Sequence, residues 1–368
     1  MPLRLLNNSF AVTADSADDV QSRFAMGLAL TPSVGRSKYE RVVRDLADYF
    51  YYVGAVCPEY FRPLQDEMAA ASDDQLANFR LIFPTWLYLF SGASDGCALR
   101  IGERLAQPDL TPLARFSLES MLAAIGTPAA LTSLATYARS SRRIAAFEDL
   151  GFWIPLADGA AVPRFTLHRF AARLRRADGS DISSYRHPVG LAGPSVAVGQ
   201  ARELITWHYC SLDIRDVPGA AALSHPLIHL VSPRRWDNWT VFSWFAADGR
   251  YDRAVLYEAS GKDSDDLDEL LDDVIDDTAT GQGQILLAPY DDQLVYCNSN
   301  IYLTPEVVGD VGGPPIGLYP NPTCPTCNKL MFHIATMNCA VREYGDGFRS
   351  LFVCEDCDLV ASHATGWN

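Results

Sequence analysis

Two Cys-x-x-Cys pairs are the residues of this chain whose types and spacing could do chemistry: Cys324/Cys327 in "PTCPTCNKLMF" and Cys354/Cys357 in "FVCEDCDLVAS". Such a turn lets two thiolates reach one ion. Two turns complete a tetrahedral all-sulfur shell, which suits zinc best. A catalytic zinc keeps an open position beside three protein ligands, whereas four cysteines fill the shell. The pairs therefore point to one structural zinc per chain and away from metal-assisted hydrolysis. Thioredoxin-type redox work would need the pair at a helix N-terminus in a βαβ context, and the flanks here are strand-like. Asn328, directly after Cys327, tolerates the left-handed backbone that such a knuckle needs. His333, further along in "NKLMFH", falls on the strand leading away from the knuckle.

Other candidate constellations do not assemble. His225 and His229 in "HPLIH" would share a helix face, but Pro226 and the following "LIHLVS" read as entry into a strand, and no Glu stands between them as a zincin requires. They are expected as core or edge histidines. "GPSVAVGQ" lacks the lysine of a phosphate loop, and "VGGPP" spends two positions on prolines that offer no amide. No Gly-x-Ser-x-Gly elbow occurs, and no catalytic residues are assigned. The aromatics of "RRWDNWTVFSWF" (Trp236, Trp239, Phe242, Trp244, Phe245) could line a groove, but strand alternation buries about half of them, so core is the expected reading.

The acidic run "DSDDLDELLDDVIDD" holds nine acidic residues between positions 263 and 277. Asp268 and Val274 stand where a calcium loop would need Gly and Glu, so it is no EF-hand. Leu267, Leu270, Leu271, Val274 and Ile275 fall at helical spacing. The segment reads as an amphipathic helix whose outward residues, Asp265, Asp268, Asp272 and Asp276 among them, either form a solvated face or dock a basic protein.

The elements that must position these residues divide the chain. Residues 1–35 read as an irregular or partly stranded arm. From about 38 to 155 the pattern is helical. "SKYERVVRDLADYFYYVGAV" and "SDDQLANFRLIFPTWLYLFSG" each carry a Ser-led apolar periodicity, and Pro84 is expected to end or kink the second helix. Thr111-Pro112 and Thr127-Pro128 place a cap residue before Pro at the first helical position. Beyond "ADGSDISS" the apolar runs turn short and strand-like. The expected fold is α+β. A helical domain at 1–175, either a bundle or a short solenoid, precedes a mainly β domain at 176–368 with zinc knuckles at 324–327 and 354–357. "TPAALTSLATYAR" resembles one helix of a HEAT-type repeat.

"DVGGPPIGLYPNPTCPTCNKLMFHIATM" and "ITWHYCSLDIRDVPGAAALSHPLIHLVS" are similar to the YwqG-like family of bacterial proteins, which shows a "FLAQIDL…LP…G.L.FF" stretch and a late "GG.P" turn. Ser211 stands where the family has Gln, and Gly317-Leu318-Tyr319 replaces its Trp-x-Gln. The resemblance implies a β-rich fold with no established reaction. It also implies protein binding, since relatives often sit beside bacterial toxins.

The 368 residues suffice for two domains, and 48% hydrophobic with 20% charged residues is an ordinary globular mixture. A formal net charge of −15 repels phosphate backbones, so free nucleic acid is not an expected ligand and a basic protein is. The other five of nine cysteines are scattered among apolar residues, which is no disulfide framework. No apolar leader or membrane-length stretch is present, and a reducing cytoplasm is the expected compartment. The function expected from these readings is protein binding, as an immunity protein against a basic toxin or a chaperone of a basic client. An enzyme with a site between the domains is the alternative from another class.

Overall fold

The computed structural model describes residues 16–167, 169–177, 185–191, 195–198, 202–205, 207–220, 223–232, 239–245, 251–258, 282–289, 296–297, 301–302, 307–315, 321–338 and 347–366. The acidic run at 263–277, with Asp265, Asp268, Asp272 and Asp276, lies outside them. Two compact units result: Met1–Val162 with Tyr290–Leu303, and Pro163–Pro289 with Thr304–Asn368. The contact boundary falls at Val162/Pro163, ahead of the composition break near 175, because Arg169–Arg176 is already a strand of the second unit.

The first unit is helical: α1 (Ala17–Ala29), α2 (Arg36–Val56), α3 (Gln65–Ala70), α4 (Asp73–Leu76), α5 (Phe83–Phe90), α6 (Asp95–Leu105), α7 (Pro112–Ile125), α8 (Pro128–Ser140) and α9 (Ile144–Glu148). Two expectations are corrected. The N-terminal arm contains α1, which Ser16 caps by accepting from the Asp19 amide. Pro84 opens a helix instead of ending one: α4 is a single turn held by a Ser72/Gln75 capping box, the chain turns through Arg80 at φ 40°, and α5 begins around the proline. Thr111 and Thr127 cap α7 and α8 as their Thr-Pro pairs indicate. Every residue of α7 from Ser117 to Ile125 is buried, so this helix is enclosed as the centre of a bundle. Within that enclosure Glu119 is held by both Nε and Nη2 of Arg143, at 2.7 and 2.8 Å.

The strands are β1 (Phe152–Trp153), β2 (Val162–Pro163), β3 (Arg169–Arg176), β4 (Pro188–Val189), β5 (Ser195–Val198), β6 (Arg202–Ile205), β7 (Trp207–Asp213), β8 (Leu227–Ser232), β9 (Trp239–Phe245), β10 (Tyr251–Glu258), β11 (Gly283–Pro289), β12 (Tyr296–Cys297), β13 (Ile301–Tyr302), β14 (Val307–Gly312), β15 (Phe332–Asn338), β16 (Gly347–Cys354) and β17 (Leu359–Gly366). The main sheet runs β6-β5-β10-β9-β17-β16-β15-β14-β3-β11-β4-β7-β8. From β9 to β8 the ten strands are antiparallel throughout. They curl into a near-barrel, since β8 returns to lie over β17, where the Val231 amide donates to Ser362 Oγ at 3.1 Å. The interior is apolar, with Tyr209, Leu212, Ile285, Val311, Ile334, Leu351 and Val360 in one cluster.

The near-barrel has an internal two-fold pattern. β3 and β11 pair at its centre. Each is flanked by a strand from the other half of the sequence, β14 beside β3 and β4 beside β11, followed by β15 and β7, then β16 and β8. The corresponding strands read "WHYCSLD" and "FHIATMN". Both shift register just after the histidine. A shift of this kind inserts one residue, so side chains three apart share a face. His208 and Ser211 meet in this way, and so do His333 and Thr336.

Candidate metal centre

Each cysteine turn is built by its own backbone. In the first, Thr323 bridges to Leu330, the Cys324 amide donates to the Lys329 carbonyl and the Asn328 amide to the Cys324 carbonyl, both at 2.9 Å. Asn328 has φ 57°, the left-handed position expected after Cys327. In the second, Cys354 closes β16 opposite Leu359 at the start of β17, and Asp358 takes φ 51° directly after Cys357. Asn and Asp are the non-glycine residues that occupy this region most readily. β15 and β16 are antiparallel neighbours, so the two turns arrive at the same end of one strand pair.

There the four sulfurs converge, all within 4.8 Å of one another, with Cys327 and Cys354 at 3.6 Å. A four-thiolate tetrahedron with metal–sulfur bonds of about 2.3 Å has edges of about 3.8 Å. The donor set is thus already close to the shape that an ion needs. Cys324 and Cys354 are buried, and Cys327 and Cys357 are partly exposed. Phe242, Met331, Phe352, Leu359 and Ala361 form the apolar floor.

The thiols resist ionising together. Burial, then the neighbouring sulfurs, push Cys354 far up and Cys357 up to about 11. At Cys327 burial also opposes the thiolate, but the Lys329 amide and hydrogen bonds from the other thiols outweigh it and bring the group below its ordinary value. Four sulfurs with one favoured thiolate is an arrangement that a divalent cation completes, because the ion's charge inverts the local preference for protonated thiols. The residues present fit a tetrahedral metal ion.

Groups that cysteine spacing alone does not reveal hold the two turns together. Lys329 Nζ meets Asp356 at 2.7 Å, turn to turn. Buried Arg164 donates from Nε to the Leu330 carbonyl at 2.8 Å and pairs from Nη1 with Glu355 at 3.4 Å. Asp358 accepts from the Ser224 amide at 2.9 Å and from its hydroxyl. Arg164 and Ser224 come from distant sequence, and nothing local marks them.

The histidines sit elsewhere. Among the described residues, the four cysteines are the one group of three or more His, Cys, Asp or Glu side chains with ligand atoms close enough for a metal. His333 is fully buried and bonded to the Gly313 carbonyl and to Thr336, which bonds Ser350. His229 lies in β8, as "LIHLVS" indicates, and joins a hydrogen-bonded chain with Ser211 and His208. The Leu191 amide donates to His208 Nδ1, so His208 Nε2 carries the proton and donates to Ser211 Oγ at 2.8 Å. Ser211 Oγ is in turn hydrogen-bonded with His229 Nδ1 at 2.6 Å. A serine between two imidazoles has the groups of a nucleophile and its base. Ser211 is 0% exposed, however, so no substrate carbonyl reaches it, and the chain serves as a cross-strand tie.

No helix among the described residues is long and apolar enough to cross a membrane. The chain matches no protein-family model, no curated protein and no solved structure.

Proposed function

We propose that this chain is a protein-binding protein whose β unit is held in shape by one structural zinc ion, and that its partner is a basic protein. The observation that carries this reading is the convergence of four cysteine sulfurs, a donor set that fills a tetrahedral shell and leaves no position for a substrate. Zinc is the ion of choice for four thiolates. A net charge of −15 supports a cationic partner, since a field of one sign steers its opposite. On the resemblance of two of its sequence stretches to the YwqG-like family, the setting is bacterial and the partner a toxin that the protein neutralises. The test is capture from cells of its own source, with mass spectrometry of what stays bound and elemental analysis of the purified chain. About one zinc per chain is expected, together with a basic partner released by raised salt. An acidic partner held equally at all salt concentrations would refute the reading.

A further inference from the structure

We infer that the metal centre locks the seam of the near-barrel through Asp358 and Ser224, an inference that rests on the metal reading above. The seam is the weak line of this fold. Among the described strands, β8 ends the hydrogen-bonded order, and its return to β17 is made by side chains and not by a ladder.

Two described ties hold it. One is the Val231 amide on Ser362 Oγ; Ser362 faces the interior, because it pairs in register with Leu351 of the core. The other stands at the metal. Asp358, next to Cys357, grips both the amide and the hydroxyl of Ser224, just before β8 begins. The same short loop is fixed on its other side, where the Ile214 amide donates to the Pro226 carbonyl at 2.9 Å.

Asp358 can aim its carboxylate this way only while it holds its left-handed backbone. Such a conformation persists where surrounding structure over-determines it. Ligation of Cys354 and Cys357 to a common ion does so, since it fixes both ends of the turn that presents Asp358. With the ion gone, the turn relaxes, Ser224 is released, and the start of β8 loses its hold on the barrel. Metal occupancy therefore sets whether the seam is closed.

Hydrogen–deuterium exchange on the full chain, read in peptides covering 223–232 and 354–361, tests this. The zinc-loaded protein should protect both. Chelation should speed exchange in both, by about tenfold or more at β8, the scale of losing a charge-assisted hydrogen bond. Asp358→Gly, which keeps the left-handed backbone and removes the carboxylate, should keep its zinc and its protection at 354–361 while 223–232 exchanges as fast as in the chelated protein. If that variant protects 223–232 like the parent, or chelation loosens 354–361 alone, the lock is refuted while the metal site stands. A chain that purifies without metal and ignores the chelator overturns both.

Discussion

At the residue scale the cysteines are interdependent. Cys354 is fully buried, burial pushes its thiol far up, and it touches Cys327 sulfur to sulfur. Cys354→Ser should abolish stoichiometric metal binding and lower the thermal midpoint of the β unit to that of the chelated parent, because binding free energy here is folding free energy. Elemental analysis with paired melting curves checks this; a variant that keeps one metal per chain and the parental midpoint would remove the assignment. The histidines make a second prediction. Burial depresses His229, His333 and His363 to about 4, with proximity to Arg349 adding to the effect at His363. A base whose folded pKa lies below its unfolded value of about 6.5 stabilises the fold fully above pH 6.5, and that contribution is lost as pH falls toward 4. Buried Asp310, raised to about 6 by desolvation against the pull of Arg169, acts in the opposite sense over part of the same range. His187, also held below its ordinary value by burial, acts with them, so within the β unit four depressed histidines against one raised carboxyl leave net loss of stability in acid. His333→Gln should be less stable than the parent at pH 7.5. It should also show a shallower decline between pH 6.5 and 4.5, by up to about 1.4 kcal/mol per pH unit, in denaturant titrations of the metal-loaded protein. Parallel declines would mean that His333 does not titrate with folding.

Elements were legible where a local interaction decides them. The Thr-Pro pairs announced α7 and α8 because cap and proline act within one turn. Thr127→Ala should destabilise the helical unit by about 1 kcal/mol, since its hydroxyl accepts the Ala130 amide and donates to Asp95, while Thr127→Ser should restore most of it. Helix content followed through urea titration would show whether it does. The cysteine knuckles were legible for the same reason, down to the left-handed Asn328. Pro84 misled because one residue signals both the end of one helix and the first turn of the next, and only the end of α4 at Leu76 and the left-handed backbone of Arg80 show that the earlier helix had already stopped. The register shifts after His208 and His333 were not legible. Strand alternation puts residues three apart on opposite faces, so nothing local pairs those histidines with Ser211 and Thr336. Arg164 and Ser224 escaped notice because their partners are metal-turn residues far along the chain.

At the scale of the whole molecule the charge is the reading that reaches furthest toward a partner. Asp265, Asp268, Asp272 and Asp276 lie outside the described residues, so the prediction rests on their sequence. Nine acids in a fifteen-residue stretch forgo the mixed-sign pairing that supports an ordinary exposed helix. Rim charges chiefly set association rate and its salt dependence. Changing the four to Asn should slow association with a basic partner, most at low salt, and leave the melting curve unchanged because the Leu/Val/Ile stripe is retained. Identical kinetics at every ionic strength would return the segment to a solvated face. The exchanged strands of the near-barrel bear on a different matter, the order in which the chain is made. β3 lies between β11 and β14, so as it leaves the ribosome both its edges are unsatisfied, and they stay so until Gly283 and then Val307 have been synthesised. The helical unit is largely complete in sequence by then and its contacts are mostly local, whereas the barrel must be assembled late and from far-separated pieces, the slow and aggregation-exposed route. Nascent chains truncated before β11 should therefore carry a protected bundle and a protease-sensitive remainder, which makes the synthesis of residues 169–307 the interval in which this protein most needs a chaperone.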